Sequence, residues 1–345
     1  TLIFHLGMDL PEFAAFPLLD SADGRSVLRD YYRRYLKIAD QHGLGFHLEA
    51  PTWRAAAAWG PKLGYGTDEL RRVNSEAIDL LRELRREFER PDFPIIVSGC
   101  VGPMGDGYNP AERVTIEHAE AYHDEQVRTF GVAGADLVTF LTCTSSEEGI
   151  GFLRAAKANG VPAVLSFTVE TDGRLPSGQP LADAIETTDA ATDGYANTFG
   201  VNCAHPDHVQ SVLDGRNWTS RVGLLRANAS RMSHEELDNA PELDAGNPKE
   251  LADSYAQLRR LLPNLKVLGG CCGTDDTHVG AIADVCQGAA PVGLSGSDTT
   301  ARTAELPRFA RSADRSEILA TWEETGAVIV ESLLDVQSLQ GILTE

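Results

Sequence analysis

Short apolar segments alternate with longer amphipathic segments along most of the chain. Seven apolar segments have the length and the flanking turn residues of buried strands: Leu44–Leu48, Ile95–Val101, Leu137–Leu141, Ala163–Val169, Phe199–Val201, Val222–Leu225 and Val267–Leu268. Six segments between them carry apolar residues at helical spacing: Thr67–Glu89, Pro110–Gly131, Ser146–Asn159, Leu181–Thr188, His205–Leu213 and Pro248–Leu262. This alternation predicts parallel strands joined by helical crossovers.

The predicted fold class is α/β, a (β/α)8 TIM-type barrel with a C-terminal helical extension. An open doubly wound sheet usually has a glycine-rich phosphate turn after its first strand, and the sequence shows no convincing one. We assign residues 1–311 to the barrel and 312–345 to the extension. The amphipathic pattern over 316–342 predicts one or two helices that close the barrel or pair with a second subunit in a homo-oligomer. A barrel places its chemistry just after the C-terminal ends of its strands.

Charge and cysteine content narrow the class of partner and the compartment. The 345 residues include 51 Asp and Glu against 30 Lys and Arg, a formal net charge of −21. Such a surface repels phosphate backbones and anionic lipids, so we expect neither nucleic acid nor a membrane as partner. No apolar run reaches the roughly 18 residues of a membrane-spanning helix, and the N-terminus lacks the order of a signal peptide. Six cysteines in a chain of this length indicate free, catalytic or metal-bound thiols, and a cytoplasmic location.

Three of these cysteines follow predicted strands. Cys203 comes directly after the fifth apolar segment and Asn202, while the adjacent Cys271 and Cys272 follow the seventh segment among glycines. Three thiolates from two strand ends can bind one Zn²⁺ and leave its fourth position open, which is the pattern of catalytic zinc. A thiol that enters this position becomes a metal-bound thiolate and hence a nucleophile. The alternative interpretation is that all three are buried core cysteines.

The motifs Gly200-Val201-Asn202-Cys203 and Gly269-Gly270-Cys271-Cys272-Gly273-Thr274 are similar to those of the homocysteine S-methyltransferase family. Val97–Pro103 resembles the third-strand signature of that family, and Ser166–Glu170 with the following Gly173-Arg174-Leu175 resembles its fifth-strand segment. The resemblance implies a barrel in which Cys203, Cys271 and Cys272 bind catalytic zinc. It also implies methyl transfer from a small sulfonium or ammonium donor to a thiol, homocysteine, which gives methionine.

Five further residues at predicted strand ends are candidate substrate contacts: Glu49, Thr52, Glu170, Asn202 and Asn228. The resemblance matches Thr52 to a family position near the substrate. Asn202 and Asn228 are placed to hydrogen-bond the substrate amino acid, and a structural role in loop turns is the alternative for both. The alternative for Glu170 is a helix cap or a pair with Arg174.

The chain departs from the family pattern in three places. The Asp-Gly-Gly motif that ends the family's first strand is not found, so we expect the chain to lack that strand or to begin after it. Leu141 replaces a glutamate that holds the substrate's amino group. Either another acid such as Glu49, Glu147 or Glu170 takes that role, or the acceptor is a different thiol. The segment Arg226-Ala227-Asn228-Ala229 keeps the family's asparagine but not the proline that precedes it.

Two other classes of protein compete with this interpretation. A zinc-dependent barrel hydrolase requires histidine ligands and a general base, and no His-X-His element follows an early strand. A non-catalytic thiol-binding or metal-binding barrel is the other class, and it is favoured if Leu141 marks a degraded pocket.

Overall fold

The computed structural model describes residue 2 and residues 6–107, 114–238 and 243–286, together with short strands within 308–335. Seven parallel strands pair in chain order to form one sheet: β1 Phe46–Glu49, β2 Ile95–Val101, β3 Leu137–Cys143, β4 Ala163–Phe167, β5 Thr198–Asn202, β6 Val222–Ala227 and β7 Val267–Gly270. Each predicted strand is present, and β2 has the predicted bounds.

The described ranges also contain nine helices: α1 Ala22–Gln41, α2 Thr67–Phe88, α3 Ile116–Ala133, α4 Ser146–Ala158, α5 Leu181–Ala191, α6 Pro206–Gln210, α7 His234–Asp238, α8 Pro248–Leu261 and α9 Asp276–Cys286. At least one helix separates each strand from the next, as parallel pairing requires. The nearly closed sheet surrounded by helices is a TIM-type barrel, so the predicted fold class is confirmed. None of the described helices has the length and hydropathy that a membrane crossing needs.

Helix α1 lies outside the elements predicted from the sequence. Ser21 caps its N-terminus, where the Ser21 Oγ accepts a hydrogen bond of 3.0 Å from the backbone N–H of Gly24. Its buried face includes Leu28, Tyr32 and Leu36, which repeat every four residues. The rest of the helix is rich in arginine and tyrosine. The apolar stripe between them is narrow, so the hydrophobic pattern did not predict this helix.

Strands β1 and β7 form the two edges of the sheet. The described residues contain no eighth strand between these two edges. Helices α1 and α9 pack together outside this gap, and His42 Nε2 lies 2.9 Å from Asp284 Oδ1 between them. Inside the barrel, Arg226 of β6 forms an ion pair with Glu49 of β1.

Side chains that face the barrel interior fall into three tiers, because alternate residues of a strand face the same side. The lowest tier is an apolar plug: Ile96, Leu137, Val164, Leu224 and Val267. Two residues further along the same strands the tier is polar or without side chain: Ser98, Thr139, Ser166, Arg226 and Gly269. The tier at the C-terminal mouth contains Cys100, Leu141, Thr168, Asn228 and Cys271. Polar side chains are therefore confined to the two tiers nearer the mouth, which is the face where a barrel places its chemistry.

The C-terminal helical extension predicted at 312–345 falls almost entirely outside the described residues and stays a prediction, as does the domain boundary at residue 311. The backbone described there forms two short strands, Ile329–Val330 and Leu333–Asp335, which pair antiparallel. Arg308–Phe309 pairs parallel with the first of them. At these few residues the backbone is extended instead of helical, which suits β-branched Ile and Val.

The packing of α4 on α3 predicts a steric effect at Gly151. A Cβ there would lie 2.5 Å from the Cβ of Ala119 and 2.6 Å from the carbonyl oxygen of Ile116. We therefore expect Gly151→Ala to lower the free energy of unfolding by about 1–3 kcal/mol in urea titrations. The matched control is Gly280→Ala in α9, where an added Cβ meets nothing within 4 Å. Helix propensity predicts that this change stabilises by up to about 1 kcal/mol. Equal effects at both positions would contradict the packing argument.

Candidate metal centre

The sulfur atoms of Cys203, Cys271 and Cys272 lie within 4.8 Å of one another. Cys203 directly follows β5, and the other two directly follow β7, so the cluster sits at the C-terminal mouth of the barrel. Zinc–sulfur bonds of about 2.3 Å in a tetrahedron place ligand sulfurs about 3.8 Å apart, which this cluster can reach. Cys203 is buried, Cys271 is half-buried and Cys272 is exposed, so the cluster opens to solvent on the side of Cys272.

The backbone of Cys203 turns in a conformation that is uncommon for a residue with a side chain. Its φ of 55° lies in the left-handed region, which costs a non-glycine residue about 1–2 kcal/mol. The backbone N–H of Cys203 donates a 3.1 Å hydrogen bond to the carbonyl oxygen of Arg226 on β6. Neighbouring contacts thus hold the turn that brings Sγ of Cys203 beside the two cysteines after β7.

The loop that carries Cys271 and Cys272 is anchored at both ends. The N–H of Cys271 donates to the carbonyl oxygen of Ala227 at 2.8 Å, which extends the pairing of β7 with β6. The hydroxyl of Thr274 donates to the carbonyl oxygen of Cys271 at 2.7 Å. Gly273 has φ +80°, and a Cβ there would lie 2.6 Å from the carbonyl oxygen of Asp244. Only glycine fits this turn without strain.

Asn228 joins the two loops that carry the cysteines. Its Nδ2 donates to the carbonyl oxygen of Cys203 at 2.9 Å, and its Oδ1 accepts from the N–H of Cys272 at 3.1 Å. The side chain is buried, so these bonds are protected from water. The amide therefore positions the ligand-bearing loops, and its predicted contact with substrate stays a prediction.

Asn202 contacts the cluster directly. Its Nδ2 lies 3.3 Å from Sγ of Cys203 and donates to Oγ1 of Thr142 at 2.8 Å. Its Oδ1 accepts from the N–H of Thr142 at 2.8 Å. An N–H group directed at a sulfur stabilises negative charge on that sulfur. The predicted contact of Asn202 with substrate is likewise untested.

Glu170 reaches Cys203 through a histidine that the sequence analysis missed. His234 Nδ1 lies 3.0 Å from Glu170 Oε1, and His234 Nε2 lies 2.6 Å from the carbonyl oxygen of Cys203. His234 begins a short polar helix in the connection between β6 and β7, and no local pattern in the sequence marks it. Glu170 and Arg174 are joined through the backbone, where the N–H of Glu170 donates to the carbonyl oxygen of Arg174 at 2.8 Å, while Nε of Arg174 lies 3.8 Å from Oδ2 of Asp172.

The remaining predicted contacts lie on other strand ends. Thr52 is fully buried, and its hydroxyl donates to the carbonyl oxygen of Cys100 at 2.8 Å. Glu49 faces the barrel interior and pairs with Arg226. Leu141, where the family pattern has an acid, is buried in the same tier as Asn228 and Cys271.

The electrostatics of the cluster favour a bound cation. Hydrogen bonding to the sulfurs of Cys203 and Cys272, together with burial, raises the pKa of the Cys271 thiol well above its ordinary value. Three thiolates this close repel one another, and a divalent ion supplies the compensating charge. All three donors are sulfur, which suits soft metal ions. No other group of three or more His, Cys, Asp or Glu residues in the described ranges brings its ligand atoms this close.

Comparison with known proteins shows to which family the chain belongs. The family model described as Homocysteine S-methyltransferase matches residues 9–286. The chain belongs to this family. The chain is also 26% identical over 235 residues to the methionine synthase of Mycobacterium leprae and 25% identical over 235 residues to that of Mycobacterium tuberculosis. Each alignment covers 63% of this chain and 18% of the relative, so the chain matches less than a fifth of the length of these relatives.

Two solved structures show the same fold. The metallated form of the homocysteine methyltransferase MmuM from Escherichia coli matches with a TM-score of 0.62 at 20% identity, over 78% of this chain and 87% of that chain. Its oxidized form matches with a TM-score of 0.65 at 21% identity, over 81% and 90%. The family model confirms the resemblance stated from the sequence.

Asp275 caps the helix that follows the two adjacent cysteines. Its Oδ1 accepts a hydrogen bond from the N–H of Thr277 at 3.0 Å and lies 2.7 Å from Nδ1 of His278. Burial alone raises the pKa of Asp275, but the hydrogen bonds from Thr277 and His278 outweigh it and lower the pKa to about 2. A carboxyl with a lowered folded-state pKa stabilises the fold above its unfolded value of about 3.9, and this stability is lost as pH falls toward the folded value.

We therefore expect Asp275→Asn to lower the free energy of unfolding by about 1–2 kcal/mol at pH 6, and the difference from wild type to shrink between pH 4 and pH 2. Urea titrations at several pH values measure this. The control is Asp253→Asn, whose carboxylate forms an exposed i,i+4 pair with Lys249 and is expected to change stability by less than about 0.5 kcal/mol. A pH-independent effect of Asp275→Asn would show that the charge has no such role.

Proposed function

We propose that the protein transfers a methyl group from a small sulfonium or quaternary ammonium donor to the thiol of homocysteine, giving methionine, with Zn²⁺ held by Cys203, Cys271 and Cys272. The observation that carries this proposal is the approach of three cysteine sulfurs to within 4.8 Å at the mouth of the barrel. When bound, the ion turns an acceptor thiol into a thiolate nucleophile at neutral pH.

The choice of zinc follows from the donors. Sulfur ligands disfavour magnesium and calcium, which take oxygen ligands. Three protein ligands leave one tetrahedral position for the acceptor. The exposure of Cys272 supports an acceptor that approaches from the mouth of the barrel.

The surrounding residues keep the cluster in place and dry on its inner side. Asn228 holds the two loops, Asn202 donates to Sγ of Cys203, and His234 with Glu170 supports the carbonyl oxygen of Cys203. The aliphatic plug below the cluster closes the opposite end of the barrel to water. In this arrangement the sulfur atoms are preorganised, so little reorganisation is needed when the acceptor binds.

A second candidate is methyl transfer to a different thiol. Leu141 favours it, because a buried leucine at the mouth cannot pair with the ammonium group that the family's glutamate holds. A barrel hydrolase gains no support, since the described residues offer no group of histidines for its metal.

The proposed cellular location and partners follow from the cysteines and the net charge of the chain. Reduced thiols in a metal cluster suit the cytoplasm, which we propose as the location. Small molecules, a thiol and a methyl donor, are the proposed partners. A homo-oligomer formed through 312–345 stays a prediction.

Removing one ligand tests the metal centre. We expect Cys271→Ala to lose bound zinc and to lower methyl transfer at least about 10³-fold, because the acceptor thiol is then no longer deprotonated by the ion. Zinc analysis is combined with methionine formation from homocysteine, with S-methylmethionine, S-adenosylmethionine and betaine each as donor. The control is Cys286→Ala in α9, a buried cysteine outside the cluster, which keeps zinc and activity. A zinc-free wild-type protein, or full activity in Cys271→Ala, would overturn the proposal.

Asn228 tests whether the loops are held for the metal. We expect Asn228→Ala to weaken zinc binding about 10- to 100-fold, since the two cysteine loops lose their common hydrogen-bonding partner. Competition with a chelator measures the affinity. The control is Asn264→Ala, which removes a hydrogen bond of 2.6 Å to the carbonyl oxygen of Ser220 at an exposed site. Equal zinc affinity in wild type and Asn228→Ala would disprove the positioning role.

A further inference from the structure

Tyr255 extends from helix α8 to the carboxyl ends of strands β6 and β7. Its side chain is fully buried. Its hydroxyl accepts a hydrogen bond of 2.8 Å from the backbone N–H of Ala227 on β6 and donates one of 2.5 Å to the carbonyl oxygen of Gly269 on β7. The carbonyl oxygen of Leu225 lies farther from the hydroxyl, at 3.4 Å. One phenol therefore joins the ends of both strands.

Both residues that bind this hydroxyl are neighbours of the metal-centre residue Cys271. The N–H of Cys271 donates to the carbonyl oxygen of Ala227 at 2.8 Å. Ala227 thus binds Tyr255 through its N–H and Cys271 through its carbonyl oxygen. Gly269 stands two residues before Cys271 in the chain. Tyr255 therefore holds the backbone beside Cys271 on both strands.

The segment that Tyr255 holds on β7 has little stiffness of its own. Gly269 and Gly270 have no side chain, and glycine has the widest choice of backbone conformations. A larger residue does not fit at Gly270, because its Cβ would collide with the hydroxyl oxygen of Thr274. On the inner side of the sheet, Arg226 Nε donates to the carbonyl oxygen of Gly270 at 3.3 Å. The hydroxyl of Tyr255 supplies a second constraint on this glycine pair.

The two hydrogen bonds of Tyr255 require a neutral hydroxyl, because it acts as donor and acceptor at once. Burial raises the pKa of Tyr255, and negative charge on Cys271 raises it further, which outweighs the opposite effect of the N–H of Ala227. The phenol therefore keeps its proton at neutral pH. Phenylalanine would supply the same ring without either hydrogen bond.

We propose that Tyr255 is a positioning residue of the metal centre, whose hydroxyl fixes the end of β7 and so directs the sulfur of Cys271 toward those of Cys203 and Cys272. This inference rests on the proposed function, in which the three sulfurs bind zinc. Hydrogen-bonding groups behind metal ligands commonly contribute about 10- to 100-fold to metal affinity. Zinc affinity would thus depend on α8, a helix that contributes no ligand.

Tyr255→Phe tests this role, since it removes the hydroxyl and keeps the ring. We expect it to weaken zinc binding about 10-fold or more in competition with a chelator, because Ala227 and Gly269 lose their common partner. With Co²⁺ in place of zinc, the visible absorption bands depend on the angles between the ligands, and we expect these bands to shift. A role in packing alone would lower stability but leave the affinity and the bands of the folded protein unchanged.

The matched control is Tyr195→Phe, which makes the same chemical change at the other end of the barrel. The hydroxyl of Tyr195 donates to the carbonyl oxygen of Val161 at 3.0 Å, just before β4 begins at Ala163. Whatever this variant loses in stability, its zinc affinity and its cobalt bands are expected to match those of the wild type.

Urea titrations with and without zinc separate weak zinc binding from low stability. Each protein is compared with its own zinc-free form, so the stabilisation by zinc reports affinity alone. Wild-type affinity or unshifted cobalt bands in Tyr255→Phe overturn the inference, as does an equal loss of affinity in Tyr195→Phe. A wild type that binds neither Zn²⁺ nor Co²⁺ overturns the proposed function and this inference with it.

Discussion

The hydrogen bonds of Asn228 to two loops are the constraint on which the metal centre depends. Strands β5 and β7 are separated by β6, and two interstrand spacings of about 4.8 Å place their ends nearly 10 Å apart. The cysteine sulfurs nevertheless lie within 4.8 Å of one another. Both loops must therefore bend inward over the end of β6. Asn228 stands at that end and binds the carbonyl of Cys203 and the N–H of Cys272.

The barrel interior changes character along its axis in a way that suits this site. Aliphatic side chains fill the lower end, where five strands contribute to one apolar plug. Two residues higher, Arg226 brings a charge into the interior, which is tolerated because Glu49 neutralises it. Two residues higher again, Cys271 and Asn228 reach the mouth. Because alternate residues of each strand face the interior, the same strands supply an apolar tier at the bottom, a polar tier in the middle and the tier with Cys271 at the mouth.

The strands and the cysteines were predictable from the sequence, whereas the pairings were not. Buried parallel strands read as continuous apolar runs, so β2 was found with its observed bounds. Helix α6 begins one residue later than predicted because His205 is its cap, with Nδ1 accepting from the N–H of Asp207, and it ends at Gln210 instead of Leu213. The cysteines belong to short local motifs. In contrast, Arg226 meets Glu49 from 177 residues away, and His234 meets Glu170 from 64 residues away. Such contacts are created by barrel closure, and no local spacing signals them.

The unequal burial of the three cysteines also sets an order of access. Cys203 lies beneath the loops, while Cys272 stands in solvent. Oxidants and chelators therefore meet the sulfur of Cys272 before the other two, and its thiol is the one most open to sulfenic acid formation when no ion shields it. A disulfide between the adjacent Cys271 and Cys272 is strained, because their Cα atoms are only about 3.8 Å apart. The outer thiol would then pair with Cys203, whose sulfur lies within 4.8 Å.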